Sequence, residues 1–375
     1  MFDFPVKEAN IWTSIYCLFF YLYILTKNYK PGILHPYTKP ISKHKKQVSL
    51  FLILFFVITH CMKGDFFHFM TYVHEYDFSP NAYNYGEPIY VEIGKLVDRN
   101  YFLFRCIVWG TAYLAFCWTS KRLKIPVYYS VIYLFCTYCI TFSYARVTVA
   151  MAIYYLGFSF ICEPPKRKTI LGLLLGIILI LCSTIFHNSA IIMALMTLII
   201  LIPLRKWVVF MSIILIPYIA SLFKDYFLLF ILVENTDETL SDKMIKYSIR
   251  ETEQGISGLI INTTQYLSFY IPFILSGYCI IIKNKINEIP TSIIRLFKLS
   301  FGFVFAAIIF LSWGENFKTF YYRILFMTML PLVLIITKLY KEGLISYKYF
   351  LLSAWTGIIY QILQYVYSLY VVLVT

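Results

Sequence analysis

The chain has 375 residues, 60% hydrophobic and 14% charged, with a formal net charge of +14. Soluble domains carry roughly 25% charge. A chain with a mean hydropathy of +0.72 is therefore not an ordinary soluble domain, nor a disordered one, which requires low hydrophobicity. Its long, continuous apolar runs also exclude a β-barrel, whose segments are short and alternating. What remains is an all-α polytopic integral membrane protein.

About 20 apolar residues carry a helix across the hydrocarbon core. Such runs predict about twelve spans, in order Ile11–Leu25, Val48–Met62, Tyr101–Thr119, Ile125–Phe142, Val147–Cys162, Thr169–Phe186, Ser189–Leu204, Trp207–Phe223, Leu259–Ile282, Leu296–Trp313, Tyr321–Leu339 and Tyr349–Val374. Tyr226–Val233 is apolar but too short to span. Asp3, Lys7 and Glu8 precede the first run and no small-residue cleavage site follows it, so no cleavable signal is expected. The nine cysteines lie in or beside apolar runs. Cys136 and Cys139 form a CxxC inside a span, without the second pair that a zinc site needs, and read as membrane packing.

Sorting charge by connector gives orientation. Lys27 to Lys46, Lys121 to Lys124, Glu163 to Lys168, Arg205–Lys206, Lys283 to Lys298 and Lys338 to Lys348 alternate with the remaining connectors. This set holds 21 of the 33 basic residues and 3 of the 19 acidic ones, leaving 12 basic and 16 acidic residues elsewhere. Cytoplasmic loops carry the lysine and arginine excess. The basic connectors are therefore expected inside and both termini outside. Residues 1–375 read as one transmembrane domain, with two longer outer loops over about 63–100 and 224–258. The polar surface available for chemistry lies on that outer side. Most of the +14 is then an orientation signal, and a nucleic-acid partner is not expected.

In the first outer loop Asp65, His68 and Tyr72 share one face if helical. Tyr85 to Asp98 reads as a short helix with Pro88 in its first turn. Aromatics interleaved with carboxylates suit a sugar, whose C–H faces stack on rings and whose hydroxyls donate to carboxylates. An interfacial aromatic belt, with Asp65 as a helix cap, fits the same pattern. Arg105, Arg146 and Arg323 all fall at outer ends of spans. Arginine holds phosphate oxygens in a planar fork, so three of them on one face suit a pyrophosphate; snorkelling or ion pairing is the other reading. His187, in Phe186-His187-Asn188-Ser189, lies at an outer corner between two spans. There it is either a proton acceptor for a hydroxyl or a turn residue bonded to backbone. His68 and His74 are six apart and face away from each other on a helix, and no metal is expected. The second long loop, with Thr236 to Arg250 as a polar amphipathic helix, is a solvated face or a lid. Neither a Gly-rich phosphate loop nor a Ser/His/Asp elbow occurs in the sequence.

Gly64-Asp65 with Tyr72, Glu87-Pro-Ile-Tyr90, Arg146 at an outer turn, Phe186-His187-Asn188-Ser189-Ala190 at another, and Tyr321-Tyr322-Arg323 follow one another on one side. In this order the set resembles the EpsG-like branch of the Wzy-type polysaccharide polymerases of O-antigen and exopolysaccharide assembly. One departure is that Phe142-Ser143-Tyr144 precede Arg146, where the family usually has polar residues. The resemblance implies a bacterial inner-membrane enzyme acting on undecaprenyl-pyrophosphate-linked oligosaccharides at the outer face. It would pass the growing glycan to the terminal hydroxyl of a new lipid-linked unit, without cofactor or metal, and with a chain-length regulator protein and membrane lipids as partners. On that reading Arg146 and Arg323, with Arg105 third, neutralise the donor pyrophosphate. His187 is the first choice of base, with Asp65 or Glu87 in that role or orienting the acceptor. Tyr72, Tyr90, Asn188 and Tyr322 line the sugar site. The rival readings are an O-antigen ligase or another polyprenyl-dependent glycosyltransferase, a sugar acyltransferase, and a flippase, the last of which requires half-helices, inverted repeats and mid-membrane charge.

Overall fold

In the computed structural model of the chain, the described residues are 88–98, 100–142, 146–163, 169–187, 189–203, 256–282, 288–313 and 318–374, with single positions at 15, 18, 19, 215, 218 and 220–222. The predicted spans Ile11–Leu25, Val48–Met62 and Trp207–Phe223 lie outside them apart from those single helical positions. So do most of the two long loops.

The described chain is helical, in the order α1 (Pro88–Leu96), α2 (Tyr101–Arg122), α3 (Val127–Phe142), α4 (Arg146–Cys162), α5 (Thr169–Phe186), α6 (Ser189–Met196), α7 (Ile256–Gly277), α8 (Thr291–Ser312), α9 (Lys318–Phe326), α10 (Met329–Lys341) and α11 (Tyr347–Val374). Thr169–Phe186, Ile260–Ile282, Thr291–Ser312 and Tyr321–Lys341 are the described helical stretches long and apolar enough to cross a membrane. Val127–Tyr138, Val147–Cys162 and Ser189–Leu201 are shorter apolar helices.

Local signals explain where helices begin and end. Pro88 opens α1, and Pro126 and Pro290 stand just before α3 and α8. Proline's fixed φ suits a helix start, where its missing N–H costs nothing. The Asn100 side chain caps α2 by accepting from the Leu103 N–H at 3.0 Å. At the end of α10, Gly343 has φ +71°, and the N–H groups of Gly343 and Leu344 donate back to the carbonyls of Tyr340 and Leu339 at 3.0 and 2.9 Å. This is the paired C-terminal closure that favours glycine. The end of α2 makes the same closure through the Lys124 and Ile125 N–H groups, but with Lys124 in the left-handed position at φ 56°.

Several of the basic connectors meet at one end of the bundle. The Lys338 and Lys341 ammoniums, at the end of α10, donate to the Lys124 carbonyl after α2 at 3.4 and 3.3 Å. Arg122 donates to the Glu163 carbonyl beyond α4 at 2.8 Å. The Glu163 carboxylate accepts from Ser292 of α8 at 2.8 Å and lies 3.7 Å from the Lys124 ammonium. Lys298 donates to the Ile200 carbonyl beyond α6 at 2.8 Å. The cations thus bind the carbonyls that helix C-termini leave without donors. With this end fixed, α2, α4, α6 and α9 begin at the opposite end, and α3, α5, α8 and α11 finish there.

The core is centred on α10, which packs against α3, α4, α7, α8 and α11. Most of Tyr321–Lys341 is enclosed by the protein, about 89%, against 22% of Thr169–Phe186. Helix α5 is thus the more apolar and the less enclosed of the two. It meets α4 where Gly157 and Gly176 face each other. A Cβ on Gly157 would stand 2.7 Å from the Gly176 carbonyl oxygen, a separation only two glycines allow.

Three spans are interrupted. The predicted span Tyr321–Leu339 is two helices, α9 and α10, separated by a turn at Met327–Thr328. Its cause is Pro331, which has no N–H for the Met327 carbonyl four residues earlier. Helix α7 carries Pro272 and ends in a wide turn over Tyr278–Ile282. Helix α3 loses helical geometry at Tyr138. The predicted span Ser189–Leu204 is likewise shorter than expected: α6 passes into a tighter 3-10 turn over Thr197–Leu201.

Candidate functional site

The sequence-derived arginines and histidine fall at the end of the bundle opposite the basic connectors. Arg105 lies in the second turn of α2, Arg146 opens α4, His187 follows α5, and Arg323 lies in α9. Asp65, Tyr72, Glu87 and Asn188 lie outside the described residues, and of Arg146 the backbone alone is described.

Two groups form there. In the first, Tyr90 of α1 packs against Phe104 of α2 at 6.3 Å and Phe186 of α5 at 6.1 Å between ring centroids. These contacts bring together the neighbours of Arg105 and His187. Arg105 is 1% exposed, with its guanidinium carbon 5.3 Å from the centroid of the Trp109 ring. A side chain so enclosed by protein does not snorkel to lipid headgroups. Inserting a cation into a membrane bundle is costly, so it is enclosed by protein groups rather than lipid. Tyr90 is 0% exposed. Its ring braces α1 on α2 and α5.

His187 has defined geometry. Its Nδ1 accepts from the Ser189 N–H at 3.0 Å, and its carbonyl accepts from the Ala190 N–H at 2.9 Å. The imidazole thus ties the corner to the first turn of α6. With Nδ1 as acceptor, the neutral ring carries its proton on Nε2, which makes Nε2 a donor.

The second group is built on α7 and α9. Tyr322 stacks on Tyr266 at 5.2 Å and 15°, Tyr321 meets Tyr266 at 5.2 Å, and the hydroxyls of Tyr270 and Tyr321 are 3.1 Å apart. Arg323, exposed, follows them on α9. The ends of α7 and α9 away from the basic connectors are thereby joined through four tyrosines, of which the sequence singled out Tyr322 for a direct role.

Below this group lie two residues that the sequence reading did not single out. The Tyr155 hydroxyl of α4 donates to the Met327 carbonyl at 2.7 Å, and the Tyr138 hydroxyl of α3 donates to the Ser268 carbonyl at 2.8 Å. Ser268 precedes Pro272 by four residues, as Met327 precedes Pro331. The prolines inside predicted spans were the available signal. Their partners on other helices were not.

A bundle of apolar helices, with described basic connectors meeting at one end and arginines with a bonded histidine toward the other, defines a multi-pass membrane protein. The chain matches the EpsG family over residues 45–375 and belongs to it. That membership points to a polysaccharide-polymerase type of function. No curated protein matches the chain, and no solved structure does.

Proposed function

We propose that the protein polymerises undecaprenyl-pyrophosphate-linked oligosaccharide repeat units on the outer face of the bacterial inner membrane. Membership of the EpsG family over residues 45–375 carries this reading. The separation of basic connectors from the Arg105, Arg146, Arg323 and His187 end supports it. The acceptor hydroxyl of the new lipid-linked unit attacks the anomeric carbon of the donor glycan. A C–O bond forms there, and the bond from that carbon to the pyrophosphate oxygen breaks. The hydroxyl proton passes to a carboxylate, Asp65 or Glu87, because the described bonding of His187 suits it to donate. Arg146 and Arg323, with Arg105, take up the charge of the departing undecaprenyl pyrophosphate. His187 Nε2–H adds a donor to the same oxygens. Tyr72, Asn188 and Tyr322 contact sugar, while Tyr90 braces the site from behind. A chain-length regulator protein is the partner this activity calls for.

The purified full chain in a lipid bilayer, given the lipid-linked repeat unit, is expected to release undecaprenyl pyrophosphate and yield a ladder of chain lengths. A ladder undiminished by Arg146→Ala, Arg323→Ala and His187→Ala together would overturn the site assignment. The interrupted helices α7 and α9–α10 favour one second reading, a lipid-linked oligosaccharide flippase, because broken spans line transport paths. A deletion strain separates the two. Loss of the ladder with a single repeat unit retained indicates the polymerase, and loss of the repeat unit as well indicates the flippase.

A further inference from the structure

Proline in a membrane helix frees the carbonyl four residues before it, and in a dry environment that carbonyl needs another donor. Here the same solution occurs twice. Pro331 frees the Met327 carbonyl, which takes the Tyr155 hydroxyl at 2.7 Å, and Pro272 frees the Ser268 carbonyl, which takes the Tyr138 hydroxyl at 2.8 Å. Both tyrosines are buried, at 1% and 0% exposure. They come from α4 and α3, consecutive helices in the chain, and α4 opens at Arg146. The two locks also touch. Tyr138 packs on Phe269 at 4.9 Å, and Phe269 stacks on Phe326 at 5.8 Å. Above them stand the outer halves of α7 and α9, joined by Tyr266, Tyr270, Tyr321 and Tyr322. A proline inside a span leaves one carbonyl without its helical donor, and each tyrosine supplies that donor, where the chain turns between α9 and α10 and where α7 runs on through Pro272.

We infer that Tyr138 and Tyr155 are positioning residues, whose hydroxyls stand in for the backbone donors missing at Pro272 and Pro331. They thereby fix α7 and α9, with Tyr322 and Arg323, against α3 and α4, the second of which opens at Arg146. The consequence for catalysis rests on the polymerase reading; the consequence for structure does not. Both residues act through others and touch no substrate.

The test uses the full chain in lipid nanodiscs, as wild type, Tyr138→Phe, Tyr155→Phe, Pro331→Ala and the double variant Tyr155→Phe/Pro331→Ala. Amide hydrogen exchange over residues 318–328 is expected to quicken about tenfold in Tyr155→Phe, as loss of one buried bond predicts, with α5 unchanged. Tyr138→Phe is expected to do the same over 256–268. Restoring an N–H at position 331 supplies the missing donor, so Tyr155→Phe is expected to add nothing in the Pro331→Ala background. In turnover of lipid-linked repeat units, Tyr155→Phe is expected to lower kcat about tenfold while KM stays within about twofold, because the loss falls on alignment rather than on substrate contact. Unchanged exchange in both tyrosine variants overturns the inference. So does an equal effect of Tyr155→Phe with and without Pro331, which would indicate packing alone. A wild-type chain that turns nothing over while the exchange pattern holds would overturn the functional reading and leave the positioning role standing.

Discussion

The Tyr155 hydroxyl donates at 2.7 Å to the Met327 carbonyl, the acceptor that Pro331 leaves without its helical donor. Removing that hydroxyl strands a buried carbonyl, which costs about 1–3 kcal/mol. Tyr133 offers the internal comparison. Its hydroxyl bonds Ser353 Oγ at 2.9 Å, but Ser353 Oγ also donates to the Phe350 carbonyl at 2.7 Å. Tyr133→Phe therefore leaves its partner bonded and is expected to cost about 0.5–1.5 kcal/mol. Thermal unfolding of the two variants in one detergent checks the order. A Tyr133→Phe loss as large as that of Tyr155→Phe would contradict the account.

Much of the bundle was legible in the sequence, because hydropathy reports directly on lipid contact. The predicted span Thr169–Phe186 is α5, and Tyr349–Val374 lies within α11, Tyr347–Val374. Where basic connectors are described, around Lys124, Glu163 and Lys338, they meet at one end as the alternation of charge suggests. Helix α10 shows the limit. Its stretch is apolar enough to cross a membrane, yet it forms the centre of the bundle, and hydropathy does not distinguish lipid from protein as an apolar neighbour. The tyrosine–proline pairings were hidden for another reason. Pro272 and Pro331 are visible in the sequence, but the choice of Tyr138 and Tyr155 as partners is set by helix packing. At the site, arginines near span ends could be read from charge and span position, whereas the enclosure of Tyr90 behind Phe104 and Phe186 depends on three helices meeting.

Lys124 occupies a backbone position suited to glycine. Its φ of 56° is left-handed, at the closure that ends α2. A side chain there costs roughly 1–2 kcal/mol that glycine avoids. Against this, the ammonium of Lys124 lies 3.7 Å from Glu163, at a side chain 79% exposed, and an exposed pair of that kind adds little. The Lys124 carbonyl that receives Lys338 and Lys341 survives any substitution. Lys124→Gly is therefore expected to raise stability by about 0.5–1 kcal/mol. A lower melting temperature would show that the ion pair matters more than the backbone.

At the same end of the bundle, the Lys338 ammonium donates to Glu342 at 2.8 Å. That hydrogen bond, with the charges of Lys338 and Lys341, holds the Glu342 carboxyl below its usual 4.5. A carboxyl depressed on folding adds stability that is present above its unfolded value and lost as pH falls through the folded one. The Glu342 side chain is 40% exposed, so the contribution is at most about 1 kcal/mol. The stability advantage of wild type over Glu342→Gln is expected to be constant above about pH 5.5 and to shrink as pH drops below 4.5. Melting curves of both proteins across that range check it, and an advantage that grows on acidification would reverse the sign.

His187 separates structure from chemistry through its two ring nitrogens. Nδ1 accepts from the Ser189 N–H at 3.0 Å and shapes the entry to α6. An asparagine side-chain oxygen can take over that acceptor role, as it does in turns and caps. It cannot place a donor where Nε2–H lies. His187→Asn is thus expected to keep the melting temperature while lowering kcat by about 10²-fold, the usual loss when one donor to a developing anion is removed. His187→Ala is expected to lose that and about 1 kcal/mol of stability as well, because the Ser189 N–H loses its partner. The two variants are compared by melting and by undecaprenyl pyrophosphate release from the same preparations. Should His187→Asn turn over at the wild-type rate, the imidazole has no part in holding the leaving group, and the residue serves the corner alone.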